Sequence, residues 1–288
     1  MSILKNKIDF AVVLSVEKAN PNGDPLNGNR PRQNYDGYGE ISDVAIKRKI
    51  RNRLLDMNEK VFVQSNDRKV DNFNSLRERA EANETLEKIM KDKNRSSEEF
   101  AVIACEEWID VRSFGQVFAF KKGRGSSQGV SVGVRGPVSI HTATSVDPIN
   151  INSMQITKSV NSEPGEGKGS DTMGMKHRVD FGVYVFYGSI NTQLAEKTGF
   201  SKEDAEKIKE SLVSLFENDA STSRPEGSME VHHVYWWEHN NKIGQYSSAK
   251  VHRSLTIESK VDEPKSYEDY NVTLEELEGL KFEVIEGR

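Results

Sequence analysis

Apolar positions alternate with polar ones from Ile8 to Val16, and the pattern reads as a β-strand over residues 8–17. It runs into Asn20-Pro21-Asn22-Gly23-Asp24-Pro25, where two prolines fix φ, Gly23 can take a positive φ, and Asn or Asp side chains can bond their own backbone. From Asp43, the expected N-cap, the period changes to that of a helix, with Ile46, Ile50, Leu54 and Met57 on one stripe. Residues 75–92 read as one long helix, and Ser96 or Ser97 with Glu99 opens a second over about 97–109. Both belong to a helical insertion at about 60–110. Strands are expected at 114–120 and 130–140, an extended segment at 149–160, and the strongest strand at 179–190. Ser201 with Asp204 opens a helix that runs to about Phe216. Residues 229–239 and 250–258 read as two strands around a turn at Asn240-Asn241. The tail carries a helix start at Thr273 and a strand near 282–285. Glycine-containing stretches at 121–127 and 163–170 read as flexible loops, and the sequence leaves open whether 121–128 and 163–172 order on binding.

The order β-α-(insertion)-β-β-β-α-β-β fits an α+β, ferredoxin-like sheet. With no internal repeat and no clean linker, one elaborated domain over 1–288 is expected. The stripe on the 43–57 helix is bordered by Lys47 and Arg51 on one side and Lys49 and Arg53 on the other, with Arg48 pointing away. Such a helix beside a rigid turn and Arg30 and Arg32 suits holding a phosphate backbone, although solvated helices carry similar charge.

Charge sharpens this picture because the chain as a whole is acidic, with net charge −5. Residues 30–53 hold seven Lys/Arg against three Asp/Glu, and 110–135 hold five against one, while 258–288 hold four against ten. One side can therefore meet a polyanion, and the acidic tail could meet a basic face of another copy. No run of about 18 apolar residues predicts a membrane span, and the N-terminus lacks a long apolar signal core, so a cytoplasmic location is expected. The lone Cys105 reads as a buried, inert thiol.

Candidate catalytic motifs are weak. Residues 165–170 contain Gly-x-Gly-Lys-Gly-Ser but lack phosphate-loop spacing and context. His232, His233, Glu238 and His239 resemble a metal cluster, yet alternate strand positions face opposite ways, which favours half-exposed strand histidines. Asp24, Asp36 and Asp43 are the acids near the basic site, and turn or cap chemistry accounts for them. Further ridges contain Arg112, Phe114 and Gln116; Arg135; Met173, Met175, Lys176 and His177; and Arg224. Cations beside apolar or aromatic residues at element ends suit single-stranded nucleic acid.

Six segments in order, Asn20–Pro25, Asp43–Arg51, Asp110–Gly115, Gly136–Val138, Met173-Gly174 with Lys176-His177, and Phe216–Asp219, resemble the backbone subunit of the CRISPR type I-C Cascade surveillance complex, of the RAMP superfamily. The resemblance covers nearly the whole chain. It implies an RRM-like palm, an inserted helical finger lobe and an extended β-hairpin thumb within about 140–178. It implies copies polymerised along the crRNA spacer, with thumbs kinking the guide and the free bases displayed to target DNA. The implied partners are crRNA, target DNA through the guide, other copies of the chain, and the guide-processing and large subunits; no cofactor, metal or catalysis is implied. Asn20, Asn22, Asp24, Lys47, Lys49 and Arg51 would hold guide phosphates. Arg112, Phe114 and Gln116 would line the palm, and Met173, Met175 and His177 would lie near displaced bases. Replacing Lys47, Lys49 and Arg51 together by Ala is expected to abolish RNA binding without unfolding. The alternatives are a metal-dependent endoribonuclease of the same superfamily using Asp24 or Asp43, and a structural protein that polymerises without RNA.

Overall fold

β1 spans Ile8–Ala19, and its burial is continuous instead of alternating. Phe10, Val12, Leu14 and Val16 enter one core, while Ala11 and Val13 enter a second core on the opposite face. A strand with apolar side chains on both sides needs a sheet covered on both faces, which overrides the expected in–out pattern. The computed structural model describes residues 2–92, 96–121, 129–161, 164 and 173–288. The expected loops at 121–127 and 163–170 lie largely outside them.

The chain continues through β2 (Gly23–Asp24), β3 (Arg30–Pro31), β4 (Tyr38–Ile41) and α1 (Asp43–Asp56). Short helices follow: α2 (Leu76–Glu81), α3 (Glu84–Lys91), α4 (Ser97–Glu107) and α5 (Ile109–Phe114). Next come β5 (Gly115–Phe120), β6 (Val130–Arg135), β7 (Val138–Ile140), β8 (Ala143–Pro148), β9 (Ile151–Thr157) and the long β10 (Met173–Ile190). The last elements are α6 (Thr192–Thr198), α7 (Lys202–Val213), β11 (Met229–Glu238), α8 (Ser248–Arg253), β12 (Leu255–Ser259), β13 (Tyr270–Leu274) and β14 (Lys281–Glu286).

The main sheet runs β14–β11–β1–β10–β8–β4 with antiparallel pairing throughout, and β7 pairs with the end of β10. Its centre, β11–β1–β10–β8, together with α1 and α7, follows the ferredoxin-like β-α-β-β-α-β order that the sequence predicts. Ile46, Ile50 and Leu54 of α1 and Ala205, Ile208 and Leu212 of α7 close one face. Val251 of α8 and Leu255 and Tyr270 of the β12–β13 hairpin close the other. The helices between residues 76 and 114 and the β5–β6 hairpin share a core of Phe62, Phe100, Trp108 and Phe118, in which the Phe62 and Trp108 rings lie 4.6 Å apart. The first part of β10 runs past β8 and pairs with β9, from Met173 opposite Thr157 to Val179 opposite Ile151.

Local chemistry explains the departures. Ser42, not Asp43, caps α1: its side chain accepts from Ala45 N, and Asp43 occupies the first helical position. The helix expected at 75–92 is two, because the Asn83 side chain accepts from Thr85 N and Leu86 N and starts α3 anew. Trp108 breaks α4 from α5. The strand expected at 130–140 stops at Gly136, where a Cβ would lie 2.2 Å from Ser113 O. Residues 248–253 are helical behind a Ser247 cap, so no strand pair forms around Asn240-Asn241; β12 pairs with β13. Thr273 lies in β13 instead of opening a helix.

Candidate nucleic-acid interface

The turn after β1 is held by its own side chains. Asn20 Nδ2 donates to Asn29 O at 2.7 Å, and Asn22 Oδ1 accepts from Ser42 N at 2.9 Å, which fixes the turn to the start of α1. Asp24 accepts from Leu26 N at 3.2 Å and faces the Arg32 guanidinium at 3.6 Å. These groups shape the turn, and Pro21, Asn22 and Gly23 form one wall of a cleft.

The cations of α1 divide into two kinds. Lys47 pairs with Asp43 at 2.9 Å, Arg51 with Asp110 at 2.8 Å, and Arg53 with Asp56 at 2.8 Å and Glu217 at 3.1 Å. Lys49 is buried, bonds to Asp219 and lies 5.3 Å from the Phe216 ring centre. Burial pushes its amine down to about 8 against the pull of Asp219. Lys49 and Arg51 therefore fasten α1 to the 218–224 loop and to α5. Losing them would leave Asp219 with Arg224 alone and take from the fully buried Asp110 its only cation among the described residues, so the triple Ala replacement also attacks the fold.

Arg48 behaves differently. Expected to point away from the core, it is half-buried, and its Nη1 is enclosed and has no hydrogen-bond partner among the described residues. Burial and the neighbouring Arg51 charge lower its pKa. It lines a cleft of about 390 Å³ between the Pro21–Gly23 turn, α1, the turn at Ser65–Arg68 and the loop at Asn218–Arg224. Arg48, Lys49, Arg68 and Arg224 line this cleft against the carboxylates Asp67 and Asp219. Arg68 donates to Asn218 O and, at 2.8 Å, to Asp56; Arg224 Nε reaches Asp219 at 3.1 Å. A larger groove of about 700 Å³ is lined by Glu59, Asp71, Glu84 and Glu107 against Lys60 and Arg79, a charge balance that disfavours a polyanion.

A second cluster joins the β2–β3 arm to the β9–β10 hairpin. Arg30 Nη1 donates to Ser153 Oγ at 2.9 Å, and that hydroxyl lies 2.8 Å from His177 Nδ1. Met173 and Met175 project on the same face as His177 and are 62% and 55% exposed; Lys176 is on the other face. The remaining expected residues lie elsewhere. Arg112 makes a two-point ion pair with Asp204 at 2.7 and 3.0 Å. Phe114 sits 5.1 Å under the Arg51 guanidinium, Gln116 bonds to Val117 O, and Arg135 is exposed opposite Gly115. None of these four lines the cleft.

The sequence did not single out Arg68, and that it and Arg48 line the cleft depends on how distant segments pack against α1. His239 is fully enclosed, not half-exposed: Nδ1 accepts from Gln245 N and Nε2 meets Asp9, each at 2.9 Å, because residues 240–247 fold back over it. His232 stacks on Tyr267 at 3.7 Å. Among the described residues, no three His, Cys, Asp or Glu side chains gather to hold a metal ion. Cys105 is buried, which pushes its thiol up to about 11. Among the described residues, no helix is long and apolar enough to cross a membrane.

Two chains from solved structures described as CRISPR RNA-guided surveillance complexes are similar. One, in a pre-nicking complex, has TM-score 0.47 and 14% identity over 80% of this chain and 78% of that one. The other has TM-score 0.42 and 16% identity over 80% and 68%. A CRISPR-associated protein Cas7 of Haloferax volcanii is 25% identical over 215 residues, 70% of this chain and 62% of that relative's length. The family model for CRISPR-associated protein Cas7 matches residues 6–275, and the chain belongs to that family.

Proposed function

We propose that the chain is a guide-RNA-binding subunit that polymerises along the crRNA spacer as the backbone of a type I-C surveillance complex. The observation that carries this reading is the cleft itself: four cations against two carboxylates, beside a rigid turn, in a chain of net charge −5. Guanidiniums held by neighbouring groups suit phosphate oxygens, and neutralising phosphates releases counterions. The exposed Met173 and Met175 beside the Arg30–Ser153–His177 cluster suit stacking on bases or wedging between them. Sequence is then read by base pairing between guide and target DNA, while the protein holds the backbone. Other copies and the guide-processing and large subunits complete the assembly, in the cytoplasm.

The role is non-catalytic in this reading. Asp24 is engaged by Leu26 N and Arg32, and Asp43 by Lys47. Purification without nuclease treatment, with sizing of bound nucleic acid, tests the proposal. RNA of one length on several protein copies is the expected result. A nucleic-acid-free monomer that cuts RNA with Mg²⁺ or Mn²⁺, in a manner abolished by Asp24→Ala, would replace it with the nuclease reading.

A further inference from the structure

The geometry points to Asp219 as a positioning residue of the cleft, one that sets the Arg224 guanidinium for a phosphodiester; this rests on the RNA-binding reading above. Asp219 Oδ2 accepts from Lys49 Nζ and from Arg224 Nε, the latter at 3.1 Å. Its side chain is 11% exposed and that of Lys49 6%, so one enclosed carboxylate ties α1 to the loop after α7. The backbone of Arg224 is fixed independently. Its N–H donates to Ser221 O at 3.0 Å, its carbonyl accepts from Ser221 N at 2.8 Å, and Ser223 O accepts from Asn20 N at 2.9 Å. With backbone and Nε both held, the two Nη groups keep one orientation. A planar pair of N–H donors in fixed orientation matches two phosphate oxygens, and little side-chain freedom remains to be lost on binding. Lys49 does a different job: enclosed over Phe216 and bonded to Asp219, it balances the carboxylate instead of facing the ligand.

The charge balance decides how to test this. Removing Asp219 alone would leave Lys49 enclosed without an anion and threaten the fold. Lys49→Met therefore serves as the reference background, since it removes the buried amine and leaves Arg224 anchored. The full-length chain is titrated with a fluorescein-labelled, unstructured single-stranded RNA by anisotropy at several KCl concentrations. Adding Asp219→Asn to the Lys49→Met background should weaken binding about tenfold, the loss of one charge-assisted contact. It should also lower the slope of log affinity against log salt by about 0.7, the value for one phosphate on a single strand. Arg224→Gln should do the same in that background and add nothing to Asp219→Asn. A purely structural role would leave the salt slope unchanged and overturn the inference. Tighter binding after Asp219→Asn would overturn it too, by making the carboxylate a competitor of the RNA. Weakening by Arg224→Gln without any effect of Asp219→Asn would sink the inference and keep the RNA-binding reading. If Arg48→Gln and Arg224→Gln both leave affinity and slope untouched, the cleft does not bind RNA and that reading fails first.

Discussion

Asp110 joins α1 to the helical lobe, and its removal should cost more stability than any surface change on that helix. The residue is fully buried. Its carboxylate accepts from Phe62 N at 2.6 Å, Val63 N at 3.1 Å and Arg51 Nε at 2.8 Å. Asp110→Ala leaves two backbone N–H groups without their acceptor, at about 1–3 kcal/mol each. It also strands a half-buried guanidinium, and breaking such pairs costs about 3–5 kcal/mol. The terms overlap, so about 4 kcal/mol is expected, a large share of the roughly 5–15 kcal/mol of a typical fold. Asp110→Asn keeps one acceptor oxygen and should cost about half as much. Urea unfolding followed by tryptophan fluorescence and near-UV circular dichroism measures the loss. Trp108 is well placed to report it, because its ring packs 4.6 Å from that of Phe62, whose N–H Asp110 accepts. Arg51→Ala should be destabilising as well, and the double variant should lose less than the sum of the two singles. A loss below about 1 kcal/mol for Asp110→Ala, or strict additivity with Arg51→Ala, would refute the hub.

Arg48→Gln, by contrast, should leave the unfolding midpoint close to that of the parent while weakening RNA binding and lowering the salt slope by about 0.7; an unchanged slope would remove Arg48 from the interface. Acid stability should depend on Asp204. Burial disfavours its charge, but bonds from Arg112 and Ser201 N outweigh that and hold its folded pKa below the usual carboxylate value. Its stabilisation is thus complete above the unfolded value of about 4 and lost as pH falls through the lowered one. Arg112→Ala should flatten that acid limb in stability measured against pH, and a limb of unchanged steepness would argue against the pair. Gly136→Ala should cost about 1–3 kcal/mol in thermal unfolding through overpacking, since its Cβ would lie 2.2 Å from Ser113 O; an unshifted midpoint would mean that the crossing of residues 113 and 136 relaxes freely.

Much of the fold was legible because period and caps are local signals. Ile46, Ile50 and Leu54 marked the buried face of α1, and Ser201 with Asp204 marked the start of α7 through a complete capping box. The misread elements are those where a side chain interrupts a good pattern. Asn83 restarts a helix that composition alone would continue, and Ser247 caps residues whose apolar pattern also suits a strand. The doubly covered β1 was hidden for another reason: whether its second face meets water depends on α8 and the β12–β13 hairpin, more than two hundred residues away. The candidate site was legible as a region but not residue by residue. Counting cations located α1; their carboxylate partners sit at positions 43, 56, 110, 217 and 219, mostly on distant segments.

Those partners also explain how a chain of net charge −5 can present a local positive site. Most of the charge on α1 is neutralised within the molecule and used for assembly: Arg51 draws in α5, Lys49 the loop after α7, and Arg53 both Asp56 and Glu217. Cations held this way cannot swing to a ligand without breaking the packing, so they contribute field more than contacts. Arg48, half-buried, and the Nη end of Arg224, whose Nε is held by Asp219, remain at the cleft. On the proposed reading, affinity for RNA depends on the integrity of the fold. A ligand that bridges Arg48 on α1 and Arg224 on the 218–224 loop joins two segments already tied by Lys49 and Asp219, so binding and local stability should rise together. Hydrogen exchange at Phe216–Arg224 should therefore slow when single-stranded RNA is added. Equal exchange with and without saturating RNA would show that the loop takes no part in binding.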